Sequence, residues 1–214
     1  MRWNADVHDD GQDPYDPRRS IANVRRGVFV GRASQVGDLH ALWESASNGS
    51  GRIVAIRGDA GVGKTRLVGH ALAAHGALWA RCREAGAPPL WPWVQLARAA
   101  ARAGVVGFEP IAVSSATPFV DLSHAVPASG HDRFERFDQM AQTLSAATVD
   151  QPLALVIDDA QWADDDSVDL LSFVAATIVQ SSLLVALTIR TGEPFASPAL
   201  ANFCLLYTSD AADE

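Results

Sequence analysis

The sequence has little of what several classes of protein require. Only two of its 214 residues are cysteines, Cys82 and Cys204, which are too few and too isolated for a disulfide framework or a metal cluster. No apolar run approaches the roughly 18 residues of a membrane span. Residues 1–17 contain acidic residues and prolines where a signal peptide would have an apolar core. We therefore expect a cytoplasmic protein with no membrane partner.

Basic residues are also too few for one kind of partner. The 17 lysines and arginines are outnumbered by 25 aspartates and glutamates, giving a formal net charge of −8. This balance argues against a basic face that grips nucleic acid, so any DNA contact would belong to other segments. Hydrophobic residues make up 48% and charged residues 20% of the chain. These shares are typical of one large globular domain, or one and a fraction.

One stretch fits a phosphate-binding template, G-x-x-x-x-G-K-[ST], at every fixed position. The residues are Gly58, Asp59, Ala60, Gly61, Val62, Gly63, Lys64 and Thr65. Residues 52–57 are predicted to form a buried strand before this glycine loop, and residues 65–75 a helix after it. The glycines allow the backbone N–H groups to form a cradle for anionic oxygens at the positive end of the helix.

By the same template, Lys64 would reach the β and γ phosphates of a nucleotide, and the Thr65 hydroxyl would be a ligand to Mg²⁺. The alternative is a glycine-rich turn without a ligand. The strand before the loop, the helix after it and the match at every fixed position of the template favour the nucleotide.

A second motif is an apolar run, residues 153–157, followed by Asp158 and Asp159. This is the form of a buried parallel strand that delivers acids to the carboxyl edge of a sheet, where the glycine loop also lies. We assign Asp158 to Mg²⁺ and Asp159 to the water that attacks the γ phosphate. The alternative for Asp159 is that it only caps the following helix.

Another buried strand is predicted over residues 183–189, and Arg190 at its end would emerge at the same edge. A cation there could sense the γ phosphate. The alternative, a surface arginine paired with Glu193, stays equally open from the sequence.

The expected fold is α/β, with a parallel sheet built from strands near Ile53, Leu78, Leu155 and Val185 and helices on both faces. Helical spacing predicts helices over residues 33–47, 93–103, 131–147 and 167–180, with one of the acids at 164–166 as the cap of the last helix. A short helix is predicted near residues 119–124. Residues 1–27 are polar and rich in turn formers, and are predicted to be a disordered leader.

These motifs resemble a known family: the signal-transduction (STAND-type) ATPases related to AAA+ proteins, found in large LuxR-type transcriptional regulators and with some bacterial adenylate and guanylate cyclases. The residues that carry the resemblance are Phe29, Val30, Gly31 and Arg32, the glycine loop with Arg66 and Leu67 after it, and residues 89–93, 155–164 and 187–190.

The resemblance implies ATP and Mg²⁺ as cofactors. It implies that Val30, Gly31 and Arg32 lie near the adenine, that Arg66 belongs to the nucleotide site, and that Asp158 and Asp159 serve Mg²⁺ and hydrolysis. Arg190 looks like the first sensor of the family. One departure is Gln161, which stands where relatives often have histidine. Adenine preference rests on the resemblance, since no Asn-Lys-x-Asp motif for guanine is present.

The resemblance also shapes the expected domain plan. We expect an incomplete ATPase domain over residues 28–203 that stops before a helical lid, with DNA contacts made by C-terminal domains outside this sequence. Residues 204–214 resemble the translation of a transposon-end sequencing adapter, and are expected not to be native.

Three functions fit this sequence. They are an ATP-dependent switch with slow hydrolysis, a constitutively active ATPase, and a nucleotide-binding scaffold without hydrolysis. Self-association on ATP binding is a further expectation.

Overall fold

The computed structural model describes residues 31–84, 87–108, 130–207 and 209–210. The predicted leader, the predicted helix at 119–124 and Val30 lie outside these residues. Among the described residues, none of the helices combines the length and the hydropathy that a membrane span requires.

The described strands form one parallel sheet in the order β2-β3-β4-β1-β5. Their bounds are Arg52–Gly58 for β1, Leu78–Arg81 for β2, Leu153–Asp158 for β3, Leu183–Arg190 for β4 and Ser209–Asp210 for β5. The four predicted strands and the parallel sheet are confirmed. The two-residue strand β5 lies in the segment predicted to be non-native and was not expected.

Six α-helices connect or flank these strands in the described part of the chain. They are α1 (Ala33–Ser47), α2 (Lys64–Ala71), α3 (Trp91–Arg102), α4 (Gly130–Asp150), α5 (Asp165–Thr177) and α6 (Pro198–Tyr207). The predicted bounds of α1 are confirmed. Helix α2 is shorter than predicted, because the chain changes to tighter bonds such as His75 N–H to Leu72 O at 3.1 Å. Helix α5 likewise ends at Thr177 and continues as a 3₁₀ turn over Ile178–Gln180.

Helix α3 begins two residues before the predicted start. The prediction assumed that prolines would exclude a helix before Trp93, and it was wrong. Pro92 lies in the first turn of α3, where a backbone N–H has no helical partner to lose. The residue before the helix, Leu90, has a φ of 60° and is buried among the core side chains.

Both faces of the sheet are covered by helices, as predicted. Val54 and Ile56 of β1 pack with α1 and α2, whereas Ile53 and Ala55 pack on the opposite face with side chains of α3 to α6. This alternation follows from the two-residue period of a strand. Because both faces are covered, all six residues of β3 are buried, which explains its unbroken apolar run.

Helix α6 continues across the predicted boundary between residues 203 and 204. Phe203 and Cys204 are both buried in the core. The adapter origin of residues 204–214 stays a prediction.

Candidate functional site

The register of the sheet brings the predicted site residues to one edge. Gly58 at the end of β1 is the partner of Arg190 at the end of β4. In the same way, Arg81 at the end of β2 is the partner of Asp158 at the end of β3. Parallel strands present their carboxyl ends along one edge, where ligands of such sheets bind. The glycine loop, the two acids and Arg190 therefore lie together, as the sequence predicted.

The glycine loop has the backbone conformation that its composition predicts. Gly61 and Gly63 have φ angles of 77° and 94°, in the region that favours glycine. A Cβ atom added at either position would meet no other atom within 4 Å. Backbone conformation, not crowding, therefore requires glycine here. The loop leads directly into α2, whose first N–H groups have no helical partners and can bind an anion.

Lys64 lies inside this loop, with only 7% of its surface exposed. Its Nζ donates hydrogen bonds to the carbonyl oxygens of Gly58 (2.7 Å) and Asp59 (2.9 Å). Burial lowers the pKa of Lys64, and the negative charge of Asp159 opposes this shift. The ammonium group of Lys64 is thus held in place by the main chain of the glycine loop.

Thr65 and Asp158, the predicted magnesium ligands, are in direct contact. The Thr65 hydroxyl donates to Oδ1 of Asp158 at 2.7 Å. The same oxygen accepts a 2.7 Å hydrogen bond from the hydroxyl of Thr188, a fully buried residue of β4. Hydroxyl and carboxylate oxygens are typical protein ligands of Mg²⁺ in phosphate-binding sites, where phosphate oxygens and water complete the coordination shell of the ion. The side chains therefore fit the predicted metal.

Asp159 does not cap the helix that follows, so that alternative was wrong. No side-chain capping bond is made to the 3₁₀ turn Ala160–Trp162. Asp164 instead caps α5 by accepting from the Ser167 N–H at 3.0 Å, as one member of the predicted acid run. Asp159 itself has a φ of 54°, and its N–H donates to Thr188 Oγ1 at 2.9 Å.

The Asp159 carboxylate is held by two arginines. Arg81 donates from Nε (3.2 Å) and Nη2 (2.8 Å) to Oδ2. Arg190 donates from Nε to Oδ1 (3.0 Å) and from Nη2 to Oδ2 (3.3 Å). Burial raises the pKa of Asp159, but the hydrogen bonds from Arg81, Arg190 and Gln161 outweigh it and lower the pKa overall. Asp159 is therefore ionised and a weak base in this arrangement.

Arg190 combines the two locations that the sequence left open, while its role in sensing the γ phosphate stays a prediction. It bonds Asp159 at the carboxyl edge of the sheet, and its Nη1 also lies 3.4 Å from Oε1 of Glu193. The bonds to Asp159 raise the pKa of Arg190, so its charge is fixed. A charged guanidinium at this edge can meet a developing negative charge.

Gln161, the departure from the family pattern, ties the ends of β3 and β4 together. It is completely buried. Its Oε1 accepts from the Arg190 N–H at 3.2 Å, and its Nε2 donates to Asp159 Oδ1 at 3.4 Å. The side chain therefore supports the two residues that the sequence assigned to catalysis.

The segment predicted to lie near the adenine reaches the glycine loop. Arg32 donates from Nη2 to the carbonyl oxygen of Val62 at 2.6 Å. Gly31 precedes it with a φ of 89°. Arg66 is half-buried in the first turn of α2. Contact with adenine by these residues stays a prediction.

Two residues of the site were missed by the sequence analysis. Arg81 carried a usable signal, since a charged residue at the end of a parallel strand faces the same edge as the acids. Thr188 carried little, because a threonine within an apolar run is common in strands.

In this parallel sheet a glycine loop follows β1, and two acids follow β3, which is separated from β1 by one strand. This arrangement defines the P-loop class of nucleotide-binding folds. The family model described as AAA ATPase domain matches residues 28–186. Because this match spans most of the chain, the protein belongs to the AAA ATPase domain family.

Among solved structures, the chain is similar to a Walker-type ATPase of Pyrococcus abyssi, with 17% sequence identity and a TM-score of 0.44. The similarity covers 83% of this chain and 49% of that one, so the chain spans about half the length of that protein. No curated protein matches the sequence.

Proposed function

We propose that the chain binds ATP with Mg²⁺, hydrolyses it slowly, and acts as the nucleotide-dependent switch of a bacterial LuxR-type transcriptional regulator. The observation that carries the nucleotide part is the 2.7 Å hydrogen bond between Thr65 and Asp158 beside the glycine loop. Two magnesium-type ligands from distant parts of the chain meet at the positive end of α2, where phosphates bind.

Each site residue has a role in this proposal. The loop N–H groups and Lys64 would bind the β and γ phosphates. Thr65 and Asp158 would hold Mg²⁺, whose positive charge would offset the negative charge of the phosphates. Asp159 would orient the attacking water and accept its proton, and Arg190 would stabilise charge on the γ phosphate.

The pairing of Asp159 supports slow turnover. Hydrogen bonds from two arginines stabilise the charged form of its carboxylate, and so weaken it as a base. At least one guanidinium must leave before Asp159 can act on water. A terminal phosphate carries more negative charge than a carboxylate and would compete for these arginines. Such an exchange of partners would link nucleotide binding to a change at the carboxyl edge of the sheet.

The regulatory setting rests on the family resemblance of residues 29–32, 89–93 and 155–164. The net charge of −8 supports DNA contact by other domains and not by this one. Self-association on ATP binding and a cytoplasmic location belong to the same proposal. A module of a cyclase-type signalling protein is the alternative setting.

The test is titration of the full chain with ATP and GTP, with and without Mg²⁺, followed by single-turnover hydrolysis. We expect ATP to be preferred, with Lys64→Ala abolishing tight binding. Turnover is expected below about 10⁻² s⁻¹, as in nucleotide switches. Unaltered affinity in Lys64→Ala contradicts the site.

Hydrolysis rates separate the remaining alternatives. Turnover of about 1 s⁻¹ or faster would identify a constitutive ATPase and exclude the switch. Phosphate release that is the same in Asp159→Ala as in the unmodified chain would favour a scaffold without hydrolysis by this site.

A further inference from the structure

Arg81 lies at the nucleotide-binding edge, where the proposed mechanism uses it only as one of the two arginines that bind Asp159. It ends β2, the edge strand of the sheet. Besides its two bonds to Asp159, its Nε lies 3.7 Å from Oδ2 of Asp158. The guanidinium thus faces both acids that the site offers to Mg²⁺ and water.

The backbone of Arg81 is fixed by a side chain. Gln95 of α3 accepts from the Arg81 N–H at 3.2 Å and donates to the Arg81 carbonyl at 3.0 Å. Gln95 thereby provides hydrogen-bond partners for the backbone N–H and carbonyl groups of Arg81 at the sheet edge, as a neighbouring strand would. On the other side, the Cys82 N–H donates to the Asp158 carbonyl at 2.9 Å. The Arg81 side chain can therefore move while its Cα stays in place.

The two guanidinium groups that bind Asp159, from Arg81 and Arg190, differ in their exposure to solvent. Each guanidinium also has a second acid nearby: Glu193 lies 3.4 Å from Arg190, and Asp158 lies 3.7 Å from Arg81. The Arg81 side chain is 59% exposed, against 32% for Arg190. Moving the more exposed guanidinium changes its hydration less, so Arg81 can leave Asp159 more easily than Arg190 can.

We propose that Arg81 is a specificity-determining residue that binds the terminal phosphate and so distinguishes a nucleoside triphosphate from a diphosphate. This inference rests on the proposed function. Asp159 would keep its hydrogen bond from Arg190 Nε while Arg81 turns to the phosphate, so the acid stays paired and ionised. The Nη groups of Arg190 would remain for the charge on the γ phosphate. Bidentate guanidinium binding suits a terminal phosphate, which presents several oxygens in one plane.

The test compares dissociation constants of the full chain for ATP and ADP, both with Mg²⁺, by isothermal titration calorimetry. The variants are Arg81→Gln and Arg81→Lys. Arg98→Gln is the matched control, because Arg98 on nearby α3 lies over the Trp91 ring at 5.4 Å and carries the same charge. Thermal unfolding of each variant checks that the fold is retained.

We expect Arg81→Gln to bind ATP about tenfold more weakly, with ADP affinity within about twofold of the unmodified chain. Arg81→Lys should fall between, since it keeps the charge without the two-pronged geometry. Arg98→Gln should leave both affinities unchanged. Equal losses for ATP and ADP, or no loss for ATP, overturn the role of Arg81 while the proposed function stands. An unmodified chain that binds neither nucleotide overturns both.

Discussion

The Thr65 hydroxyl donates a 2.7 Å hydrogen bond to the Asp158 carboxylate across 93 positions of sequence. Thr65 is in the first turn of α2, and Asp158 is the last residue of β3. The contact exists because β3 and β1 flank β4 in a parallel sheet, which brings their carboxyl ends to one edge. It joins the glycine loop to the acids and defines the centre of the proposed site.

Lys64 offers a direct chemical probe, because it is the only lysine in the sequence. Burial lowers its pKa from the ordinary value of 10.5, so its neutral amine should appear at lower pH than that of an exposed lysine. We predict that amine labelling at Lys64, read by mass spectrometry as a function of pH, has a midpoint below 10.5. Bound ATP should slow labelling and shift its midpoint to higher pH, because a nearby phosphate favours the charged ammonium.

Lys64→Arg provides the control for this labelling, because only the α-amino group can then react. A midpoint at or above that of an exposed lysine, or labelling that ATP does not slow, would contradict the assignment of Lys64 to the phosphates.

Thr188 should stabilise the folded state through its hydrogen bonds to Asp158 and Asp159. Its buried hydroxyl donates to Asp158 and accepts from the Asp159 N–H. Thr188→Val keeps the shape but leaves these buried groups without that partner, so we predict a loss of about 1–3 kcal/mol in the free energy of unfolding. Urea denaturation measures it. Thr188→Ser, which keeps the hydroxyl and loses a methyl, is the control. A valine variant more stable than the serine variant would refute the bridging role.

Asp159 should make stability depend on pH with a definite sign. Because the folded pKa lies below the ordinary 3.8, its ionised form stabilises the fold at any pH above 3.8, and this contribution is lost as the pH falls through the folded value. We predict that Asp159→Asn is less stable than the unmodified chain by about 1–3 kcal/mol at pH 7. The difference should shrink in acid. The measurement is the free energy of unfolding of both chains at pH 7 and near pH 3. A stability difference that grows in acid would contradict a lowered pKa of Asp159.

Much of the fold could be predicted from residue order alone. The apolar runs of β3 and β4 are buried on both faces, so their composition is sufficient to identify them as central strands. The loop from Gly58 to Thr65 could be placed because its template fixes residue type, spacing and the flanking elements. These features depend on neighbours in the sequence.

The pairing of Arg81 with Asp159 depends on neighbours in space. It exists because β2 lies beside β3, and no local pattern states which strands are adjacent. For the same reason the bridge made by Thr188 was not predicted, because its two partners lie at and just after the end of the neighbouring strand β3. The early start of α3 was missed because proline was treated as a helix breaker, although its position in the first turn is permitted.

The most direct test of the proposed magnesium site is the Mg²⁺ dependence of ATP affinity in the full chain with Thr65→Ala and Asp158→Asn, singly and together. Thr65→Ser, which keeps the hydroxyl, is the control. We predict that Mg²⁺ tightens ATP binding by about tenfold or more in the unmodified chain and in Thr65→Ser. Each of the other variants should lose most of this gain, and the double variant should lose little more, because the two residues act on one ion. An undiminished effect of Mg²⁺ in both single variants would exclude Thr65 and Asp158 as the residues that hold the ion.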